Sequence, residues 1–381
     1  MSPPRILFYT HGLVDGGAER LWANLATAFH QRGHDVLFAV DFAAEENRAS
    51  LDPAIPLHVL GGSHRASVGA LARLIRAERP AVALSAVGGS NLKLLAALSL
   101  ARTGTRAILS YHGFEEWRTG KLSFAAYATL PLVTRLAART VAASGPLRDA
   151  LVGRWRAAPL RTVAIDNPVA FPADTRLPSA AELAARPEVV LSVGRLSPLK
   201  DHATLLSAFT LLARPSARLV ILGQGPERPA LAELARRLGI ADRLEMPGYI
   251  PDPWPAYAGA RCFVLPSRSE AFGNVVVEAL AHGLPVVATD CAGPASILDG
   301  GRHGTLVPVG DDRALAHAIA AALDRPGDPG PRRARAEAFS IDRRVPEYEA
   351  LVTEVLTERR RASDAAASDL PMASGRADRA R

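Results

Sequence analysis

Short apolar runs alternate with helical patterns along this chain, in two blocks, and that alternation leaves few folds open. In the first block Ile6–Tyr9, Val36–Val40, Val82–Ala86, Ala107–Tyr111 and Thr140–Ala143 are runs of strand length. Between them Glu19–Arg32, Gly69–Arg79, Asn91–Arg102 and Lys121–Ala138 carry the spacing of helices. The pattern lapses at Asp166-Asn167-Pro168 and stays irregular through a proline-punctuated stretch to Pro187. It then restarts with strand Val189–Gly194, helix Ala203–Ala213, strand Arg218–Gly223, helix Arg228–Leu238, strand Leu244–Met246 and strand Arg261–Pro266. Strand, helix, strand is the grammar of a parallel sheet, whose ligands bind at the carboxyl ends of the strands. Two α/β domains facing a cleft are therefore expected, over residues 1–168 and 187–345, joined by a linker at 169–186.

The stretch from Ser267 to Asp290, SRSEAFGNVVVEALAHGLPVVATD, holds the densest chemistry. Glu270 and Glu278 stand eight residues apart across a glycine turn. Val275–His282 reads as a helix closed by Gly283, with Pro285 beyond. Glu270 then lies in the loop at a strand's carboxyl end, and Glu278 about one turn into the helix. Free N–H groups near Asn274, Val275 and Val276, with the helix dipole, suit a phosphate. A diphosphate flanked by two hydroxyl-binding carboxylates describes a nucleotide-sugar site. Three other patches follow strands: Gly16-Gly17-Ala18-Glu19-Arg20, Tyr111-His112-Gly113, and VGRLSPLKD from Val193 to Asp201, which carries Arg195 and Lys200.

These four patches, in this order, resemble the E-x7-E signature and companion motifs of retaining glycosyltransferases of the GT-B fold, especially family 4. The resemblance runs from about residue 5 to about residue 355. It implies two Rossmann-like domains, the first on the acceptor side, and a helix over 346–358 that crosses back to pack on the first domain. The implied catalytic residues are Glu270, His112, Arg195 and Lys200. The implied donor contacts are Gly16, Gly17, Arg195, Lys200, Ile250, Phe272, Gly273, Asn274, Val275 and Glu278. In that scheme Arg195 and Lys200 neutralise the departing diphosphate, with no metal or other cofactor required. Glu278 accepts from the ribose hydroxyls and Glu270 from the sugar, because ionised carboxylates only accept. His112 hydrogen-bonds the donor sugar, and Gly273 lets the backbone turn close to the pyrophosphate. Gly223-Gln224-Gly225-Pro226 and Gly248-Tyr249-Ile250-Pro251 end later strands and are candidates for the nucleobase pocket, with Ile250 packing on the base. Lys93, Lys121 and Lys200 are the sole lysines among 45 basic residues, and Lys200 stands where the family's phosphate lysine belongs. Ser296 occupies a place where the family often carries an acid, which leaves donor selectivity open.

The activity implied is transfer, with retention, of a hexose or N-acetylhexosamine from a nucleoside diphosphate, UDP first, to a glycan or lipid-linked acceptor in cell-surface polysaccharide or lipopolysaccharide synthesis. A covalent intermediate on Glu270 is the mechanistic alternative. A nicotinamide-dependent oxidoreductase is the rival function, since Asp41 ends the second strand, but the third glycine of its fingerprint is missing. A sugar-nucleotide-binding protein without catalysis is the other.

Charge is unevenly placed. Residues 1–168 hold 19 basic against 12 acidic side chains, while residues 169–381 hold 26 of each. A basic first domain suggests peripheral contact with an anionic membrane; no aromatic-basic motif accompanies it, so nucleic acid is not expected. The chain enters a strand at Arg5, leaving no room for a signal peptide, and no apolar stretch is long enough to span a bilayer. The expected location is cytoplasmic, at the inner face of the plasma membrane. The ten histidines show no metal-ligand spacing. Cys262 and Cys291 are expected as buried free thiols. Residues 359–381, rich in Ala, Ser, Asp and Arg, read as a disordered tail.

Overall fold

The computed structural model describes residues 3–368 apart from 15, 119 and 173. The first sheet contains β1 (Ile6–Thr10), β2 (Val36–Val40), β3 (Leu57–Val59), β4 (Val82–Ala86), β5 (Arg106–Tyr111), β6 (Arg139–Ala142) and β7 (Thr162–Ala164). Its spatial order is β3-β2-β1-β4-β5-β6-β7, all parallel. The second contains β8 (Val189–Val193), β9 (Arg218–Leu222), β10 (Leu244–Gly248), β11 (Cys262–Leu265), β12 (Val286–Thr289) and β13 (Thr305–Val307). Its order is β10-β9-β8-β11-β12-β13, again parallel. Alternate residues of β1 feed opposite faces: Ile6 and Phe8 join one buried cluster, Leu7 and Tyr9 another. A sheet covered on both faces has no polar side, so its strands read as unbroken apolar runs. Strand order reverses between β1 and β4, and between β8 and β11. Connections diverge there and leave a crevice at the carboxyl ends.

Several elements depart from the sequence expectation for identifiable reasons. β3, β7 and β13 are three-residue edge strands, too short to show a run. The helix expected over Lys121–Ala138 is two, Lys121–Ala128 and Leu130–Leu136. Pro131 lacks an N–H, and its ring would clash with the carbonyl one turn back. The second helix of the first domain starts at His64 rather than Gly69, because Ser63 Oγ accepts the Ala66 N–H at 3.2 Å. The linker contains a helix, Ala180–Ala185, held by a reciprocal Ser179–Glu182 capping box.

The final helix runs Ile341–Ser368, longer at both ends than the expected 346–358. Its Val345, Tyr348, Leu351, Val352 and Val355 join the buried cluster around Phe8 and Trp22 of the first domain. At about 2 kcal/mol per buried side chain, that stripe fixes where the helix lies. The tail expected from 359 is thus helical to Ser368; Ala and Arg, which suggested disorder, are also strong helix formers. Residues 369–381 lie outside the described residues. The chain crosses between domains at Val169 and again at Ser340, side by side. Val169 N–H donates to Phe339 O at 2.9 Å, and Ile341 N–H to Val169 O at 3.0 Å. Both cysteines are free; Cys262 is buried as expected, but Cys291 is partly exposed.

Candidate active site

A cleft of about 480 Å³ separates the carboxyl ends of the two sheets, a volume that suits a small ligand. Gly16, Gly17, His112, Arg195, Lys200, Ile250, Glu270, Phe272, Gly273, Asn274, Val275 and Glu278 all line it. Six come from loops or helix starts after β1, β5 and β8 or from the turn after β10, and six from one loop and helix after β11.

The loop after β8 is fixed by close backbone packing. Gly223 has φ +136°, and a Cβ there would stand 2.1 Å from Gly194 O. Leu196 N–H donates to Gln224 O at 2.9 Å. Asp201, at φ +48°, accepts from Thr204 Oγ1 at 2.9 Å and from Arg268 at 2.9 Å. The loop so held presents Lys200, whose Nζ donates to Glu270 Oε1. The same oxygen accepts from Ser267 Oγ at 2.8 Å. Cation and carboxylate therefore sit side by side at the cleft wall.

The helix Asn274–Ala281 begins after Gly273, whose φ of +106° turns the chain sharply into it. Val276 N–H donates to Gly273 O at 2.9 Å, so that amide is not available to a phosphate as expected. Asn274 and Val275 remain, in the first turn that a helix cannot bond internally. Phe272 also differs from expectation. Its ring is buried edge-on against Phe339 at 5.5 Å, so it offers the cleft backbone rather than side chain.

Glu278 is buried at the cleft floor. Its Oε2 accepts from Tyr257 OH at 2.7 Å, and burial beside that carboxylate raises the Tyr257 pKa well above normal. Its Oε1 lies 3.8 Å from Arg20 Nη1, a first-domain residue. The Arg20 guanidinium is 5.0 Å from the Trp254 ring centroid, and Trp254 and Tyr257 both stack on His282. Two further contacts cross the cleft. Asn167 Nδ2 donates to Asn274 Oδ1 at 2.9 Å, and Tyr249 OH to Asn47 Oδ1 at 2.8 Å.

On the first-domain wall, His112 Nε2 and Ser110 Oγ are 2.9 Å apart. Burial lowers the His112 pKa to about 4, with the Asn167 amide opposing, so the ring is neutral near pH 7. Its backbone N–H donates to Glu116 Oε1 at 2.7 Å, and Gly88 N–H to Glu116 Oε2 at 3.3 Å. Burial pushes the Glu116 carboxyl up to about 7; those amides oppose the shift and Glu19 adds to it. Val87, at φ +74°, also lines the cleft, a strained conformation for a β-branched residue. Gly16 and Gly17 are outside the positive-φ region. A Cβ at Gly17 would meet only Asn274 Nδ2, at 3.8 Å, and one at Gly16 the carboxylate of Glu19.

Asp41, the acid of the rival dinucleotide reading, is committed elsewhere. It is buried, binds Lys93, and accepts from Tyr9 OH and His11 Nδ1 at 2.7 Å each. Those partners hold its pKa down to about 2 against the effect of burial. Arg20, Glu116, Asn167, Trp254 and Tyr257 are cleft or cleft-supporting residues that sequence reasoning did not assign. Arg20 was inside a quoted motif, and Asn167 in the break that ends the first block; the others carry no local pattern. Tyr249, expected with Ile250 at the nucleobase pocket, bonds Asn47 across the cleft.

Residues 175–340 match the family model described as glycosyl transferases group 1, and residues 15–170 the one described as Glycosyltransferase Family 4. The lipopolysaccharide core biosynthesis glycosyltransferase LpsE of Rhizobium meliloti is 39% identical over 131 residues, 34% of this chain and 38% of that protein. A D-inositol 3-phosphate glycosyltransferase of Thermobispora bispora is 35% identical over 212 residues, 51% of this chain and 50% of that protein. The matched stretches thus span half or less of these relatives. Anabaena Alr3699/HepE, solved with UDP and glucose, superposes with a TM-score of 0.77 at 22% identity, covering 93% of this chain and 100% of that one. At that identity the likeness shows the shared two-domain fold. With two family models that together cover most of its length, the chain belongs to the group 1, family 4 glycosyltransferases.

Proposed function

We propose that this protein transfers a hexose or N-acetylhexosamine from a nucleoside diphosphate, UDP first, to a glycan or lipid-linked acceptor, with retention at the anomeric carbon. One observation carries this reading: Lys200, Arg195, Glu270, Glu278 and the start of the helix Asn274–Ala281 converge on one cleft between two parallel-sheet domains. The diphosphate lies against Lys200, Arg195 and the amides of Asn274 and Val275. Charge that builds on it as the sugar bond breaks is met by cations already in place. Glu278 takes the ribose hydroxyls and Glu270 those of the sugar. Neutral His112 hydrogen-bonds the sugar from the opposite wall. The acceptor oxygen attacks from the face the diphosphate leaves, and its proton passes to the departing phosphate. In this scheme protein cations supply the neutralisation, so the transfer needs no metal.

Relatives support the acceptor class. LpsE is named for lipopolysaccharide core biosynthesis, and a Campylobacter jejuni protein 30% identical over 163 residues is named as a transferase acting on a diphospho-undecaprenol-linked sugar. HepE was solved with UDP-glucose, which supports a UDP donor here. We place the work at the cytoplasmic face of the membrane, met through the basic first domain.

Calorimetric titration with UDP tests the site. Lys200→Ala and Glu278→Ala should each weaken binding about tenfold or more, as expected for losing a hydrogen bond to a charged group. Unchanged affinity in both variants refutes the assignment. A panel of UDP-, GDP- and ADP-sugars, scored for slow hydrolysis, then identifies the donor.

A further inference from the structure

The first domain carries an outer face whose composition the cleft does not explain. From Trp117 to Ile165 the sequence holds eight basic residues and one acid, Asp149. Arg118, Arg139 and Arg148 pair with Glu115, with Glu354 and Glu358, and with Asp149, so the charge of the face rests on Lys121, Arg135, Arg154, Arg156 and Arg161. In the same stretch Phe124 is 54% exposed, Leu132 59%, Leu136 64% and Leu160 96%. Exposed apolar side chains are common singly, but four set among cations in one region mark an interaction surface.

The segments that carry these residues are tied together. Phe124 is on the helix Lys121–Ala128, and Leu132 and Leu136 on the helix Leu130–Leu136. The segment bearing Arg154, Arg156, Leu160 and Arg161 is tied to them. Ala158 N–H donates to Thr134 Oγ1 at 2.8 Å, Arg161 Nη1 to Ala137 O at 2.8 Å, and the Trp155 ring meets Tyr127 edge-on at 5.1 Å. Their opposite sides are buried, with Tyr127, Leu130 and Val133 in the domain core. Tyr127 OH donates to Gly113 O at 2.9 Å, so this unit also braces the loop that lines the cleft.

We propose that this face docks on an anionic phospholipid surface, with the four apolar side chains at the headgroup–acyl boundary and the surrounding cations on lipid phosphates. This deepens the membrane contact of the proposed function by naming the surface that makes it. Charge selects the occupant: a second copy of this face would bring two cationic patches together, whereas anionic lipid neutralises them. The two helices have eight and seven residues, and no described helix is long and apolar enough to cross a membrane. The face therefore lies on the bilayer rather than in it.

Vesicle co-sedimentation tests this with the full chain. Vesicles of phosphatidylcholine containing one third phosphatidylglycerol should bind it, pure phosphatidylcholine at least tenfold less, and high salt should release it. Leu132→Ser with Leu136→Ser should cut partitioning about tenfold. Arg154→Gln with Arg156→Gln should cut it about 25-fold, at about fivefold per basic residue. UDP affinity, measured on the same preparations, should not change. Failure to bind anionic vesicles, or binding indifferent to both double variants, overturns the proposal. So does a leucine-dependent dimer in sedimentation velocity without vesicle binding. Vesicle binding without UDP binding would instead sink the assigned cleft and leave this face standing.

Discussion

Arg20 holds one oxygen of Glu278, and that pairing has a sign that experiment can read. The two groups are 3.8 Å apart, with the arginine partly exposed and the carboxylate buried. Unit charges at that separation attract by about 4 kcal/mol at an effective permittivity of 20. Desolvation and solvent screening leave a net of about 1 kcal/mol for such a pair. The Arg20–Trp254 contact at 5.0 Å adds about 0.5 kcal/mol or more. A ribose that takes Glu278 Oε1 must displace this bridge of about 1–2 kcal/mol. Arg20→Ala should therefore bind UDP about tenfold more tightly, since 1.4 kcal/mol is a factor of ten. The same change removes one of the contacts that hold the domains together, so transfer per bound donor should fall. Calorimetry gives the affinity, and single-turnover hydrolysis of UDP-glucose gives the rate. In an Arg20→Ala/Glu278→Gln double variant the gain in affinity should vanish. Weaker UDP binding in Arg20→Ala would refute the argument, because Arg20 would then be a nucleotide contact and not a competitor.

Two further outcomes follow from the geometry. The Glu116 carboxyl is raised to about 7 in the folded protein, so its contribution to stability is full below its ordinary pKa and is lost as pH climbs through about 7. Between about pH 5.5 and about pH 8 the Glu116 share of that loss should approach 2 kcal/mol, read in urea unfolding as the difference between wild type and Glu116→Gln. His112 acts in the opposite sense, giving up stability as pH falls from its ordinary pKa of about 6.5 down through about 4. Gly223→Ala places a Cβ 2.1 Å from Gly194 O and strains a backbone at φ +136°. It should shift the loop bearing Arg195 and Lys200 and abolish measurable UDP binding, while circular dichroism still reports a folded chain; wild-type affinity would show that the loop yields.

Local pattern was enough for much of this protein. Apolar runs such as Ile6–Tyr9 and Val189–Val193 revealed buried parallel strands, because a strand covered on both faces cannot carry a polar alternation. Gly273 and the carboxylates around it announced a helix entered from a tight turn. Edge strands of three residues escaped, as did the helix break at Thr129, where Pro131 outweighs an otherwise helical stretch. The last helix outran its expected end because alanine and arginine favour a helix as readily as they suggest disorder.

Tertiary structure decided who meets whom. Nothing local links Arg20 to Glu278, Asn167 to Asn274, or Tyr249 to Asn47, since each pair joins separate elements across the cleft. The fate of Asp41 was equally hidden: its place after β2 fits a ribose-binding acid, yet Lys93, from the helix after β4, claims it. Sequence periodicity reports which face of an element is buried, whereas a partner depends on how whole domains pack. The chain's own order therefore determined two Rossmann-like layers and the chemical types at their rims, and packing alone determined which of those groups share a bond.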